Sequence, residues 1–531
     1  MKNINIKDER GIILPTVLIL ILFSSWLVVV MLEMASTDRI VVKDQAEGTA
    51  AIYLAEMGMN RITEAMWIGY ETAPEATRIT WLDNNFTTYD QYGIEVDDPP
   101  GEYSTYFLKA SAPDNISRYV VFESVGQVGD ASRAITRVVQ YGLGRSPVFD
   151  YAYFANNYGW LWGGGIEVNG EVRSNGDFSV KNAWVNGDIV GSVNDEIGAT
   201  GLVDGSSNHK DLDWYRNHAD DHFRPAYPDA DYGYDGESER FPYQEILDMP
   251  YLADISRYET LAQDENSSIS QGGTTLVNEI YNGTLILIGT AANPIELNGP
   301  VVVNGDVIIR GVVSGQGTIY TSRNVHIVGD VEYETQPIWP HDGEDISTYA
   351  EHNANADFMG LAARGSIIYG DYTSQNWKSL VRSYIKPPFT SAYIDEDGSW
   401  FDADYTAYDG GTKSDGSQRR YYESSLKDSA FSALCATHHP RRIDGLMYTN
   451  HLLGGRLENV EINGSIIMRD EAILYSGNID INYDYRARET GEDYIDIDLP
   501  KSPRFMPMVW LDGAYHIVQS SINIDLPPLE D

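Results

Sequence analysis

Gly299-Pro-Val301-Val-Val-Asn-Gly305-Asp-Val307-Ile-Ile-Arg-Gly311-Val-Val313-Ser-Gly-Gln-Gly317-Thr-Ile319-Tyr-Thr-Ser-Arg323-Asn-Val325-His-Ile-Val-Gly329-Asp-Val331 repeats on a period of six residues. Glycine marks five of the six steps and Arg323 fills the other, and a β-branched residue follows two positions behind each step. One inward aliphatic per six residues is the sequence form of a β-helix, in which short strands form the sides of a coil and stacked coils share one core. The glycine and β-branched content excludes an α-helix. If three such sides make a coil, stacked positions differ by eighteen residues. The same vocabulary recurs with looser phase in Val168-Asn169-Gly170, Ser174-Asn175-Gly176-Asp177, Val185-Asn186-Gly187-Asp188, Val460 to Ile466 and Ile473 to Tyr483. Its Asn-Gly and Gly-Asp steps are expected to supply positive-φ corners.

Outward from this run, three stretches break the pattern: 197–265, 335–360 and 372–440, all rich in Asp, Tyr, Gly and Ser. Insertions in solenoids emerge as loops on a face and often bind. Tyr227, Tyr232, Tyr234, Tyr243, Tyr251, Tyr405, Tyr408, Tyr421 and Tyr422 fall in them. Beside aspartates these rings suit a carbohydrate or protein ligand. Equally, they suit packing back over the solenoid, because Tyr covers apolar surface while its hydroxyl stays wet. Asp395, Asp397, Asp402 and Asp404 around a glycine turn offer carboxylates for calcium, the one cofactor the sequence suggests, although the loop does not match an EF-hand. His218 and His222 have the spacing of two ligands on one helix face but lack the glutamate of a metalloprotease.

Enzymes built on β-helices gather carboxylates on one face of successive coils. Asp306 and Asp330 are 24 residues apart and so fall on different sides of an 18-residue coil. The clean repeat therefore carries no stacked acidic pair, and the chain reads as a structural protein, not an enzyme. Cys435, the single cysteine, excludes an internal disulfide and reads as a buried thiol. With 79 acidic against 37 basic residues among 531, the formal charge is −42, which speaks against nucleic-acid backbone binding.

The N-terminal part has another logic. Gly11 to Leu32 is 22 residues without a charge. As a helix it would be about 33 Å long, enough to cross a bilayer core of about 30 Å. Glu33-Met-Ala-Ser36 is a poor signal-peptidase site. No proline occurs from Met34 to Met66, where Ile40, Tyr53, Leu54, Met57, Ile62 and Met66 sit among charges at helical spacing. Pro15 suits a first helical turn, where its missing N–H costs nothing. Tyr103 to Leu108, Arg118 to Val125 and Arg133 to Val139 alternate as three strands of an antiparallel sheet, with the helix end near Met57 to Trp67 as its cover.

A polar leader ending in Gly11, an apolar helix from Ile12 and an amphipathic extension resemble the type IV pilin and pseudopilin superfamily. More narrowly, Ala55-Glu56-Met57-Gly58 resembles the Ala-Glu-x-Gly segment of PilX-type minor pilins. The resemblance covers roughly the first 65 residues. It implies cleavage by prepilin peptidase between Gly11 and Ile12, methylation of the new N-terminus, and packing against other pilin or pseudopilin subunits. It further implies a bacterial inner-membrane protein, single-pass, with its head in the periplasm and on a pilus or the cell surface after assembly. Major pilins carry glutamate at the fifth mature position; this chain has Thr16 there, a departure shared with subunits at filament tips. The repeat resembles bactofilin-like polymers, from which a right-handed coil is expected.

The sequence thus predicts a mainly β protein. Residues 1–11 form a leader, 12–68 a transmembrane and amphipathic helix, 69–145 a small helix-packed sheet, 146–500 a β-helix with insertions, and 501–531 a closing strand or cap with a tail.

Overall fold

The computed structural model describes residues 13–512 apart from 74–77, 112–116, 196, 209–238, 251, 253–254, 340–345, 383–392, 395–399, 402–419, 421, 437–438, 458, 471, 476 and 489–493. The chain is mainly β and divides into two compact units, one drawn from both ends of the sequence and the other from its middle, Leu143–Arg504.

In the first unit, helix α1 (Ile13–Thr72) has 60 residues and is about 90 Å long. Helix α2 (Arg78–Asn85) follows, and then strands β1 (Gln91–Asp97), β2 (Pro100–Ser111), β3 (Ser117–Val128) and β4 (Ala131–Arg145). These four strands form an antiparallel meander, with Phe107 opposite Phe122 and Val120 opposite Val139. The three strands read from alternation lie within β2, β3 and β4, each of which runs further. Met59, Ile62, Met66 and Tyr70 of α1 bury one face of the sheet with Val120, Phe122, Val139 and Tyr141, as the sequence led one to expect of the helix end. A fifth strand, Lys501–Asp512, lies next to β4. The closing strand thus belongs to this sheet, and the solenoid is an insertion between two neighbouring strands.

The second unit is a parallel β-helix. On its first side Val301–Val303, Ile319–Thr321, Leu361–Ala363, Met447–Thr449 and Ile466–Met468 pair in sequence. Its second side stacks Leu285–Ile288, Val307–Arg310, Val325–Ile327, Ile367–Tyr369, Leu453–Gly455 and Ala472–Leu474. Val301 pairs with Ile319 and Val307 with Val325, eighteen residues on, whereas Val313 pairs with Tyr333, twenty on, because the register shifts between Ile309 and Gly311. All six periodic aliphatics are fully buried in one continuous core. Glycine serves the stack by more than its φ: at Gly305, whose φ is not positive, a Cβ would run into the carbonyl of Gly283 on the adjoining coil.

The stacking order is not the chain order. Ile466–Met468 is followed by Tyr153–Ala155 and Ile479–Asn482 by Ile166–Asn169, so the last coils made rest on the first. From that seam the early strands climb away through Val172, Ile189 and Arg240. The later coils start at the far end, where Ser268–Gln271 pairs antiparallel with Ile295–Asn298. The stretch 197–265, expected to be a loop, therefore supplies two coil strands, Val203–Asn208 and Arg240–Gln244, and then a strap that runs back along the stack. Leu247 N–H donates to Asn175 Oδ1 at 2.8 Å, Leu252 N–H to Asn450 Oδ1 at 3.0 Å, and Tyr258 stacks on Tyr320 at 4.0 Å. The strap ends in the helix Ser256–Asp264, where Glu259 accepts from Asn304 Nδ2 at 2.7 Å.

A buried ladder of side-chain amides crosses the seam. Asn186 Nδ2 donates to Asn169 Oδ1 at 2.8 Å, Asn169 to Asn482 at 2.6 Å, Asn482 to Asn463 at 2.9 Å, and Asn463 to Asp444 Oδ1 at 2.8 Å. All five residues have no exposed surface. Asn169, Asn482 and Asn463 each donate to one neighbouring coil and accept from the other, so the ladder prescribes register as well as adding stability. Asn482→Leu removes two of these links and should lower the unfolding free energy by about 2–4 kcal/mol, read as a shifted urea midpoint. Asn186→Leu breaks the link to Asn169 and should also lower the urea midpoint.

Candidate functional site

Helix α1 changes character along its length. From Leu14 to Leu32 its apolar side chains face outward, and this is the helix among the described residues long and apolar enough to cross a membrane. Pro15 and Thr16 lie in that exposed stretch; Gly11 and Ile12 are outside the described residues. Exposure continues through Ile40, Val41 and Val42. From Ala51 onward one stripe is buried: Ala51, Leu54, Ala55, Met59, Ile62, Met66 and Tyr70. Of the helical positions read from the sequence, Leu54, Ile62 and Met66 face the sheet, whereas Ile40 and Tyr53 face out.

Small residues set the closest approach of helix and sheet. Ala55 and Gly58 are buried and Glu56 between them is half-buried. A Cβ on Gly58 would strike Ser124 Oγ and the Tyr103 ring, and one on Gly126 would strike the Ala51 carbonyl. The Ala-Glu-x-Gly segment is thus where the helix backbone beds into β2 and β3. Nearby, Arg61 donates to the Tyr103 hydroxyl at 3.1 Å. Arg137 of β4 reaches Thr63 Oγ1 at 3.3 Å and Asn60 Oδ1 at 3.4 Å, and burial pushes its guanidinium down to about 10.

In the solenoid unit the acidic residues weighed for catalysis act as pins. Asp306 is fully buried, accepts from Arg323 Nε and Asn324 N at 3.2 Å, and from Ser425 N at 2.6 Å. Asp330 accepts from Arg441 N at 2.6 Å. Asp306 thereby holds the stretch 372–440 against the coils, and Asp330 holds the chain just beyond it, at Arg441. Tyr422 of that stretch is buried with Tyr372, Trp377 and Phe431, which is the packing alternative for its ring. Tyr243, in contrast, is exposed. The stretch 335–360 is fastened by Arg486, whose guanidinium is fully buried and donates to Asp484 Oδ2 at 2.7 Å, Asp357 O at 2.9 Å, and Asn353 O and Ala356 O at 3.2 Å. It also lies over the Phe358 ring, 4.5 Å from the centroid. No pattern in the sequence marks Arg486, because its partners are backbone carbonyls some 130 residues away.

The Cys435 thiol contacts the Phe431 carbonyl at 3.5 Å, and burial pushes it up to about 12, so it stays protonated at neutral pH. Asp395, Asp397, Asp402, Asp404, His218, His222, Tyr227, Tyr232, Tyr234, Tyr251, Tyr405, Tyr408 and Tyr421 lie outside the described residues. Among the described residues no group of three His, Cys, Asp or Glu side chains is arranged to hold a metal ion. What the described geometry provides is an apolar helix surface left uncovered by the described residues and a heavily cross-tied solenoid.

No protein-family model matches this chain, and no curated protein matches it. Among solved structures, the competence-associated pilin ComZ from Thermus thermophilus is similar at 12% identity, over 88% of this chain and 98% of that one, with a TM-score of 0.29.

Arg486→Ala leaves Asp484 in the interior without its guanidinium partner and should cost about 3–5 kcal/mol of stability. The double variant Arg486→Met, Asp484→Leu should recover most of that loss in the same denaturation assay.

Proposed function

We propose that this protein is a minor subunit of a type IV pilus or type II secretion-like filament, anchored by α1 in the bacterial inner membrane before assembly. The observation that carries the reading is the division of one unbroken helix. Its second half is bedded in an antiparallel sheet of its own chain, while its first half, from Leu14 to Val42, presents large apolar side chains that none of the described residues covers. A membrane satisfies that surface before assembly, and the same surface of neighbouring subunits satisfies it afterwards. Prepilin peptidase would cut between Gly11 and Ile12 and place Pro15 in the first turn of the mature helix.

Thr16 supports a place at the start or cap of a fibre. A buried N-terminal amine needs an opposing charge from the neighbouring helix, and a hydroxyl does not supply one. Ala55 and Gly58, packed at the helix–sheet contact, fit the PilX-type pattern. The solenoid would act as a stiff carrier in the periplasm and, after assembly, on the pilus or cell surface. Its insertions are the surface for adhesion or for a carbohydrate or protein partner. Asp306 and Asp330, spent on hydrogen bonds that fix loops, support a structural role over a polysaccharide-active enzyme.

Mass spectrometry of the N-terminus tests the reading. Loss of residues 1–11 and an N-methylated Ile12 are expected; a chain retaining Met1 through Gly11 in cells with active prepilin peptidase would instead favour a permanently anchored envelope scaffold. Thr16→Glu is expected to move the subunit from filament ends into the shaft, visible by immunogold labelling, and an unchanged distribution would remove the capping role.

A further inference from the structure

The second side of the solenoid carries a second, outward-facing column. Val307 and Ile309, Val325 and Ile327, and Ile367 and Tyr369 point into the core, so the residue between each pair points out. Those outward residues pair in succession: Ile308 with His326, His326 with Ile368, Ile368 with Gly454, and Gly454 with Ile473. An aliphatic column thus contains one imidazole. It is not open to solvent, because Tyr372, Trp377, Val381, Tyr422 and Phe431 of the stretch 372–440 and its flank close over it as a separate apolar cluster.

His326 is fully buried at this contact, with the Phe431 ring edge-on at 5.0 Å and the Tyr372 ring at 5.8 Å. Neither of its ring nitrogens has a hydrogen-bond partner among the described residues. An aliphatic residue would fill this place at no such cost, since a buried polar group without a partner opposes the folded contact. We propose that His326 makes the cover formed by Tyr372, Trp377, Tyr422 and Phe431 an acid-sensitive latch, held on the solenoid at neutral pH and released when the imidazole takes up a proton.

The direction follows from linkage. Burial pushes His326 down to about 4, Asp306 on the neighbouring coil favours its charged form, and Arg323 on its own coil opposes it. From the cover side the Tyr372 phenol faces it. A released, hydrated imidazole takes up its proton near pH 6.5, whereas the covered one resists until about 4. Acid therefore favours release through that window, and the closed state regains its full advantage above about pH 6.5. At pH 5 the opening equilibrium should be about 30-fold larger than at pH 7.5 from this group alone. Asp306 also accepts from Ser425 N–H, so an imidazolium beside it would compete for the carboxylate that pins the same cover.

Hydrogen exchange by mass spectrometry on the full chain in detergent, from pH 7.5 to 4.5 with rates corrected for intrinsic pH dependence, tests the latch. Peptides spanning 371–382 and 422–435 should lose protection on acidification while 301–333 and 443–468 keep theirs. His326→Ile should abolish the acid-dependent step, and His326→Leu should do the same if the first variant does not fold. Loss of protection at the same pH in wild type and variants, or no loss in the cover ahead of the coils, would overturn the proposal.

Discussion

Parallel pairing of Tyr153–Ala155 with Ile466–Met468 and of Ile166–Asn169 with Ile479–Asn482 is the contact on which the rest of the solenoid depends. Its partners are more than 300 residues apart, as the Asn169–Asn482 hydrogen bond makes plain. Without this seam the early coils and the late coils would be two short stacks, each with an open edge of unpaired backbone groups. With it, both edges are consumed and the core runs unbroken from Val180 through Ile466 and Val301 to Ile269. The asparagine ladder crosses the same junction and makes a slipped register costly, because each amide has to meet its counterpart inside a dry interior.

That closure dictates the strap. A chain that begins in the middle of a stack and winds outward has to return to the opposite end before it can wind back, and the segment from Glu245 to Asp264 does so. It is tied to one coil after another by Asn175, Asn450 and Tyr320. Folding such a topology pays loop-closure entropy before most long-range contacts reward it. The reward comes late, when Tyr153 meets Ile466, and it stabilises every coil on both sides at once. The fifth strand, Lys501–Asp512, then rejoins the sheet that β4 left, so the solenoid is spliced into the small sheet at two neighbouring strands.

Much of this was legible in the residues. The six-residue period placed Val301, Val307, Val313, Ile319, Val325 and Val331 inward, and an inward aliphatic cannot be exchanged for its neighbours without turning every side chain of the strand over. The three central strands of the small sheet and its helical cover were equally readable from alternation and from helical spacing. Polar residues were legible only in part: Gly170 and Gly464 of the Asn-Gly steps do take positive φ. What the steps did not reveal is that Asn169, Asn186 and Asn463 bond along the stack, one coil to the next. Asp306 and Asp330 read from their spacing as no stacked acidic pair, and what they do instead, anchoring Ser425 and Arg441, had no local signal. Arg486 and His326 carried no pattern at all, since what distinguishes them is the surface laid over them by distant segments. The carboxylates proposed for calcium sit outside the described residues, and the geometry adds nothing to that suggestion.

By itself the sequence determined the local periodicities: a helix apolar enough to enter a membrane, strands of an alternating sheet, and a six-residue repeat with a defined inward face. These follow from backbone geometry and hydrophobic burial, which act over one or two turns of chain. Tertiary structure alone decided which coil lies on which, where the chain crosses back, and which outward residues are covered. Those choices are made by hydrogen bonds and apolar contacts between segments hundreds of residues apart. No local pattern encodes them, because any coil of the right length and inward face offers the same backbone edge to any other.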